Sequence, residues 1–328
     1  MRNLLQLLLL TLYGCNQTVV VGGLPPEPPS FEDDIEPTHN SPTETRNTEC
    51  TFFVSSIERG NGTGNSWDNA TSELSPILEH AGDQIASGEC TEVEIRVSAG
   101  TYTPDPIERT KSFVLFGGVT LRGGYQGSES APNNRDLSAF VTTLSGEIGN
   151  PQDLSDNSYH VLRLENEGDQ ETRLDGLVIR SGTANGSGID AKGGGIYTEK
   201  SKLRLVDVQV QHNQATSSGA GVFSIDGSLA LERVDFTSNI SEENGGGVFA
   251  SNSYLSLFGG QWVGNVSNKG GGIYTAECPA LTIEGATFIS NDADEGGGLY
   301  ERLSQVVLLN RLTFTANQAN TLGGGIAI

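Results

Sequence analysis

Apolar residues make up only 35% of this 328-residue chain, with one methionine, two tryptophans and an aromatic share of 7%. That supply is too thin for one deep globular core. Glycine is abundant instead, at 43 residues, nearly twice its usual share. Low apolar content with many glycines suits short strands that bury one face each and are joined by tight turns. Basic residues are also scarce, 19 against 41 acidic ones, for a formal charge of −22. Such a surface repels phosphate backbones and anionic headgroups, so no nucleic-acid partner is expected. The four cysteines include no CxxC pair, and the four histidines, His39, His80, His160 and His212, stand beside no Cys or acid at ligand spacing. No metal or other cofactor is expected.

The start of the chain, MRNLLQLLLLTLYG, has one positive charge at Arg2 and then an apolar run too short to span a bilayer. This is the layout of an export signal, and residues 1–14 are set apart from the fold. Leu12, Gly14 and Cys15 resemble the lipobox of bacterial lipoproteins, although Tyr13 is unusual in that motif. The resemblance implies lipidation of Cys15, and Asn16 after it implies sorting to the outer membrane. Residues 15–49 hold six of the twelve prolines and seven acidic residues against one Arg. Such a segment cannot bury enough apolar area to order itself and reads as a tether.

The second half of the chain is a repeat. Asn213, Asn239, Asn265, Asn291 and Asn317 follow one another at intervals of 26 residues without a gap. Three residues before each stand Val210, Phe236, Trp262, Phe288 and Phe314. Eight and ten before each come aliphatic pairs such as Leu203 and Leu205, separated by mostly polar or small residues. The period within each segment is therefore two, which is strand alternation. Glycine clusters begin at 193, 219, 245, 270, 296 and 323, and each precedes an aliphatic residue. A unit this small cannot cover its own apolar face, whereas a stack of like units can. The expected fold is all-β, a right-handed single-stranded parallel β-helix with three short strands per coil. In it the Asn column forms a hydrogen-bonded ladder and Val210, Phe236, Trp262, Phe288 and Phe314 form one file.

Residues 50–182 are strand-like but irregularly spaced, and read as the N-terminal cap and first coils, with regular repeats over 183–328. Leu74, Ile77, Leu78, Ala81 and Ile85 recur at helical spacing, with Ser75 and Pro76 suited to a helix start and Gly88 to its end. An amphipathic helix here is the expected lid on the first coil. Cys50 precedes TFFV and Cys90 precedes VEIRV. If those strands are neighbours the thiols lie at matching ends, so Cys50–Cys90 is the favoured disulfide, with Cys278 unpaired in a coil.

Several stretches carry a family resemblance. GNGTGNSWDNATSEL, VEIRVSAGTYTP, VTLRGGYQGSES followed by NNRD, TTLSGEIG, DNSYHVLRL and LDGLVIRSGTANG resemble right-handed β-helix surface proteins of environmental bacteria. The GGGIY and FxxN units resemble repeats of chlamydial polymorphic outer-membrane proteins. Together these cover residues 50–328. The resemblance implies an exported surface protein and does not imply an enzyme; the membrane barrel that ends the chlamydial proteins has no counterpart in this sequence.

The expected role is display, adhesion or binding on the cell surface, the outer membrane being reached through the lipid, with glycans or other surface proteins as ligands. The alternative is a polysaccharide lyase or hydrolase, or a carbohydrate-binding module, on the same fold. Cleavage requires two carboxylates at a set separation. Asp207, Glu232, Asp235 and Glu284 are the outward acids, and in the 26-residue register no two stack on neighbouring coils, so no catalytic residue is assigned. Glu242 and Glu243, and Asp292, Asp294 and Glu295, read as solvated turns rather than a calcium site, there being no GGxGxD repeat. The closing GGGIAI begins a coil that is not completed, which leads to a further expectation of a longer adhesin or of end-to-end self-association.

Overall fold

A computed structural model describes residues 18–21 and 49–328. They are all-β, 44% strand and 8% helix. The strands lie in long parallel sheets, as stacking of the 26-residue units requires. A ten-stranded sheet, face 1, runs in chain order from Glu49–Val54 at one edge through Lys202–Val206 and Tyr254–Phe258 to Val306–Asn310, with Thr18–Val21 paired outside the last of these. Face 2 has eight strands, from Gly100–Tyr102 to Thr313–Thr315, and face 3 has eight, from Phe113–Val114 to Ile326–Ala327.

The register follows the repeat. Leu203, Leu229, Leu255 and Leu281 are successive partners on face 1, and Val210, Phe236, Trp262, Phe288 and Phe314 on face 2. Alternate residues point inward, so one continuous apolar core extends from Val54 to Leu309. The unit differs from three strands in one respect. Several rungs add a very short fourth strand, such as Gln214–Ala215 against Ile240–Ser241, because the segment between the Asn and the glycines is extended enough to pair.

The triplet at 245–247 shows what the glycines do. Gly245 has φ near +65°, and a Cβ on Gly247 would lie 2.5 Å from the carbonyl oxygen of Gly272 on the next rung. Adjacent backbones are in contact there, with no room for a side chain. Other corners use the left-handed conformation without glycine, at His212, Ser238, Ser290 and Ala316, each directly before a ladder Asn.

The helix α1 (Leu74–Ala86) packs against Glu92–Ser98 and Phe113–Val114, and buries Leu74, Ile77, Leu78 and Ala81 in the shared core. Gly82 lies flat against Phe116, where a Cβ would approach the ring to 2.7 Å. Glu73 precedes the helix without a side-chain cap, Ser75 Oγ instead donating to Pro104 O, and Gly88 follows its end with φ near +75°. Among the described residues no helix is long and apolar enough to cross a membrane.

Candidate functional site

Cys15 lies outside the described residues. Cys50 and Cys90 form a disulfide, their Cα atoms 5.9 Å apart, at the starts of paired strands where Cys50 stands opposite Val93. Cys278 is a buried free thiol whose pKa burial pushes up, which leaves it inert.

The five asparagines form a ladder. Asn239 donates from its backbone N and from Nδ2 to Asn265 Oδ1, at 3.0 and 2.9 Å, while Asn265 Nδ2 donates to Asn291 Oδ1 and to Phe236 O. The pattern extends from Asn213 to Asn317, and all but Asn317 are fully buried. Beside it the rings of Phe236, Trp262, Phe288 and Phe314 stack with centroids 5.2, 5.1 and 4.8 Å apart. Both columns are filled by their own neighbours and leave nothing for a ligand.

A second aromatic file, Tyr197, Phe223, Phe249, Tyr274 and Tyr300, stands on face 3 at the second position after each glycine cluster. Its regular placement is the signal that marks it in the sequence. The rings stack nearly parallel, within 9°, with centroids 4.8–5.4 Å apart. Their faces are therefore used on one another, and an incoming sugar would meet only edges.

A corner with unfilled space lies between faces 1 and 2. Each rung turns there through a left-handed residue, in order Asp207, Arg233, Gly259, Gly285 and Arg311. Arg233 grips Asp207 with two hydrogen bonds of 2.6 and 2.9 Å, and Arg311 pairs with Glu284. The two glycines between them carry no side chain, and a Cβ at either would meet nothing nearer than 3.8 Å. The result is a notch of about 490 Å³, lined by Asp207, Gln209, Arg233, Asp235, Gln261 and Thr287 over Gly260 and Gly285. Leu137 also lines it, on a loop held down by Arg135, which bonds Asp175 and Gly123 O. Asp175 is nearly buried and takes Arg122 and Arg173 as well.

The pKa values of the two notch acids are shifted in opposite directions. The hydrogen bonds from Arg233 keep Asp207 below the usual carboxylate range, and burial pushes Asp235 above it, against a hydrogen bond from Gln261 N at 2.9 Å. The sequence register set these acids in separate columns. They share the notch because those columns flank one corner. Glu232 is not in the notch and pairs with Arg204.

His160 is buried with Nδ1 3.0 Å from Gly193 O and Nε2 3.4 Å from Asp190, a packed position with its pKa lowered by burial. Of the acidic turns, Glu295 pairs with Lys269 and Glu243 accepts from Ser217. Among the described residues no group of three or more His, Cys, Asp or Glu could hold a metal. No family model, curated protein or solved structure matches this chain.

Proposed function

We propose that this protein is an exported surface protein anchored to the outer membrane through a lipid on Cys15, and that its stack is a right-handed single-stranded parallel β-helix with α1 as its N-terminal lid. The reading extends the resemblance to polymorphic outer-membrane repeats. Its role is to bind an extended polyhydroxylated ligand, a glycan chain, in the notch between faces 1 and 2. The carrying observation is the notch itself: a glycine floor with two amides, a hydroxyl, two carboxyl groups and a guanidinium around it. Those groups supply donors and acceptors without a large net charge, which suits hydroxyl recognition.

A glycan array probed with wild type and with Gly285→Arg tests this. Arginine already occupies the same left-handed corner at 233 and 311, so the fold tolerates it there. Binding to at least one glycan should fall tenfold or more in the variant with the melting temperature unchanged; no bound glycan, or equal binding, would refute the proposal. For the anchor, Cys15→Ser should alter processing, and unchanged mobility would count against lipidation.

The opposed pKa shifts of Asp207 and Asp235, side by side in one notch, favour a second reading, polysaccharide cleavage with Asp235 as the proton donor. Against it, both oxygens of Asp207 are taken by Arg233. Release of reducing ends or unsaturated products from a bound glycan, lost in Asp235→Asn, would establish cleavage over binding.

A further inference from the structure

Face 1 ends on an edge unlike its interior. The outward position that is Arg204, Ala230, Ser256 and Thr282 on successive rungs becomes Leu308, 40% exposed, beside Val306 at 43%. The strand Val306–Asn310, VVLLN, has no charge and no proline to blunt it, and a long apolar edge of this kind recruits other strands. Residues 18–21, TVVV, are β-branched throughout and thus suited to an extended conformation. They pair with that edge in parallel, in the sense of every other rung, with Thr18, Val19, Val20 and Val21 opposite Val306, Val307, Leu308 and Leu309.

We infer that the N-terminal segment Thr18–Val21 serves as the covering strand of face 1 within its own molecule, paired on Val306–Asn310. The length of the chain permits it. Thr18–Val21 and Glu49–Val54 lie at opposite edges of face 1, nine strand spacings of about 4.8 Å or roughly 43 Å apart. The 27 residues from 22 to 48 can reach about 90 Å when extended. A tether of that size holds the segment at an effective concentration on the order of millimolar, which favours its own edge over a neighbour's. There is a consequence for orientation that rests on the lipid anchor proposed above, whereas the pairing does not. Cys15 is three residues ahead of Thr18, so the anchor sits within about 10 Å of the Val306 edge and α1 points away from the membrane.

Cysteine trapping decides the matter. Opposed positions on neighbouring strands are about 4.8 Å apart, within disulfide reach. In the full chain carrying Cys15→Ser, which removes the lipid question, Val20→Cys with Leu308→Cys should oxidise to a cross-linked monomer. Its yield should not change over a tenfold range of protein concentration. Val20→Cys with Ser256→Cys, two rungs further in, should stay reduced. Dimers in place of cross-linked monomer would put the segment on a neighbouring molecule, and no cross-link, or equal trapping at Ser256, would show no registered pairing; each result overturns the inference. Val19→Pro with Val21→Pro removes two backbone donors and should abolish the cross-link; its persistence would mean proximity without a strand and would also overturn it.

Discussion

The Asn265→Ala variant probes the physical claim on which the stack depends. Asn265 is fully buried, and its side chain makes four hydrogen bonds: it accepts from Asn239 N and Asn239 Nδ2, and donates to Phe236 O and Asn291 Oδ1. Alanine removes all four and strands the Asn239 N–H in the interior. At about 1 kcal/mol net for each bond, with up to about 2 more for the orphaned backbone group, the cost is about 4–6 kcal/mol. Asn317→Ala deletes a similar set at the half-exposed foot of the ladder, where water replaces the lost partners, and should cost only about 1–2 kcal/mol. Urea unfolding followed by far-UV circular dichroism separates the two. At an m-value of about 3 kcal/mol/M the midpoints should drop by about 1.5 M and by about 0.5 M, respectively. Equal shifts, or a loss below about 1.5 kcal/mol for Asn265→Ala, would show that the column is a by-product of packing and not a source of stability.

Trp262 is buried between Phe236 and Phe288, and its Nε1 has no partner; Trp262→Phe should therefore stay within about 1 kcal/mol of wild type while Trp262→Ala loses about 3–5, by urea melts. Burial raises the Asp235 pKa in the folded state, so below the unfolded value the group is neutral in both states and costs nothing, and stability is lost as pH rises through the folded value. Asp235→Asn keeps an acceptor for Gln261 N and should gain in melting temperature over wild type at pH 7 but not at pH 3; an equal difference at both would refute the assignment. Replacing Cys50 and Cys90 by alanine opens a loop with a separation of 40 residues and should cost about 4 kcal/mol in guanidinium unfolding, matched by wild type under reductant.

Much of the architecture is legible in the residues because a parallel stack has translational order. Equivalent positions in Leu203, Leu229 and Leu255 must lie one strand spacing apart once the rungs pair, so a constant interval of 26 residues already contains the register. α1 is legible for a similar reason, its apolar spacing matching one turn of helix. The notch is not. Asp207 and Asp235 are 28 residues apart, two out of register, and only the sharp corner at Arg233 brings both into one concavity. Nor could periodicity show that Gly259 and Gly285 leave open space there while Gly247 is in contact with the neighbouring rung, since the same residue type serves both purposes.

The sequence by itself thus determined that the chain stacks in parallel, how many residues each rung uses, and which side chains face inward, because these depend only on alternation and interval. The tertiary structure alone decided where that stack has room for a ligand and which segment meets its outer edge. Corners and edges depend on backbone direction, and one left-handed residue at a turn redirects a side chain without altering the pattern of apolar positions.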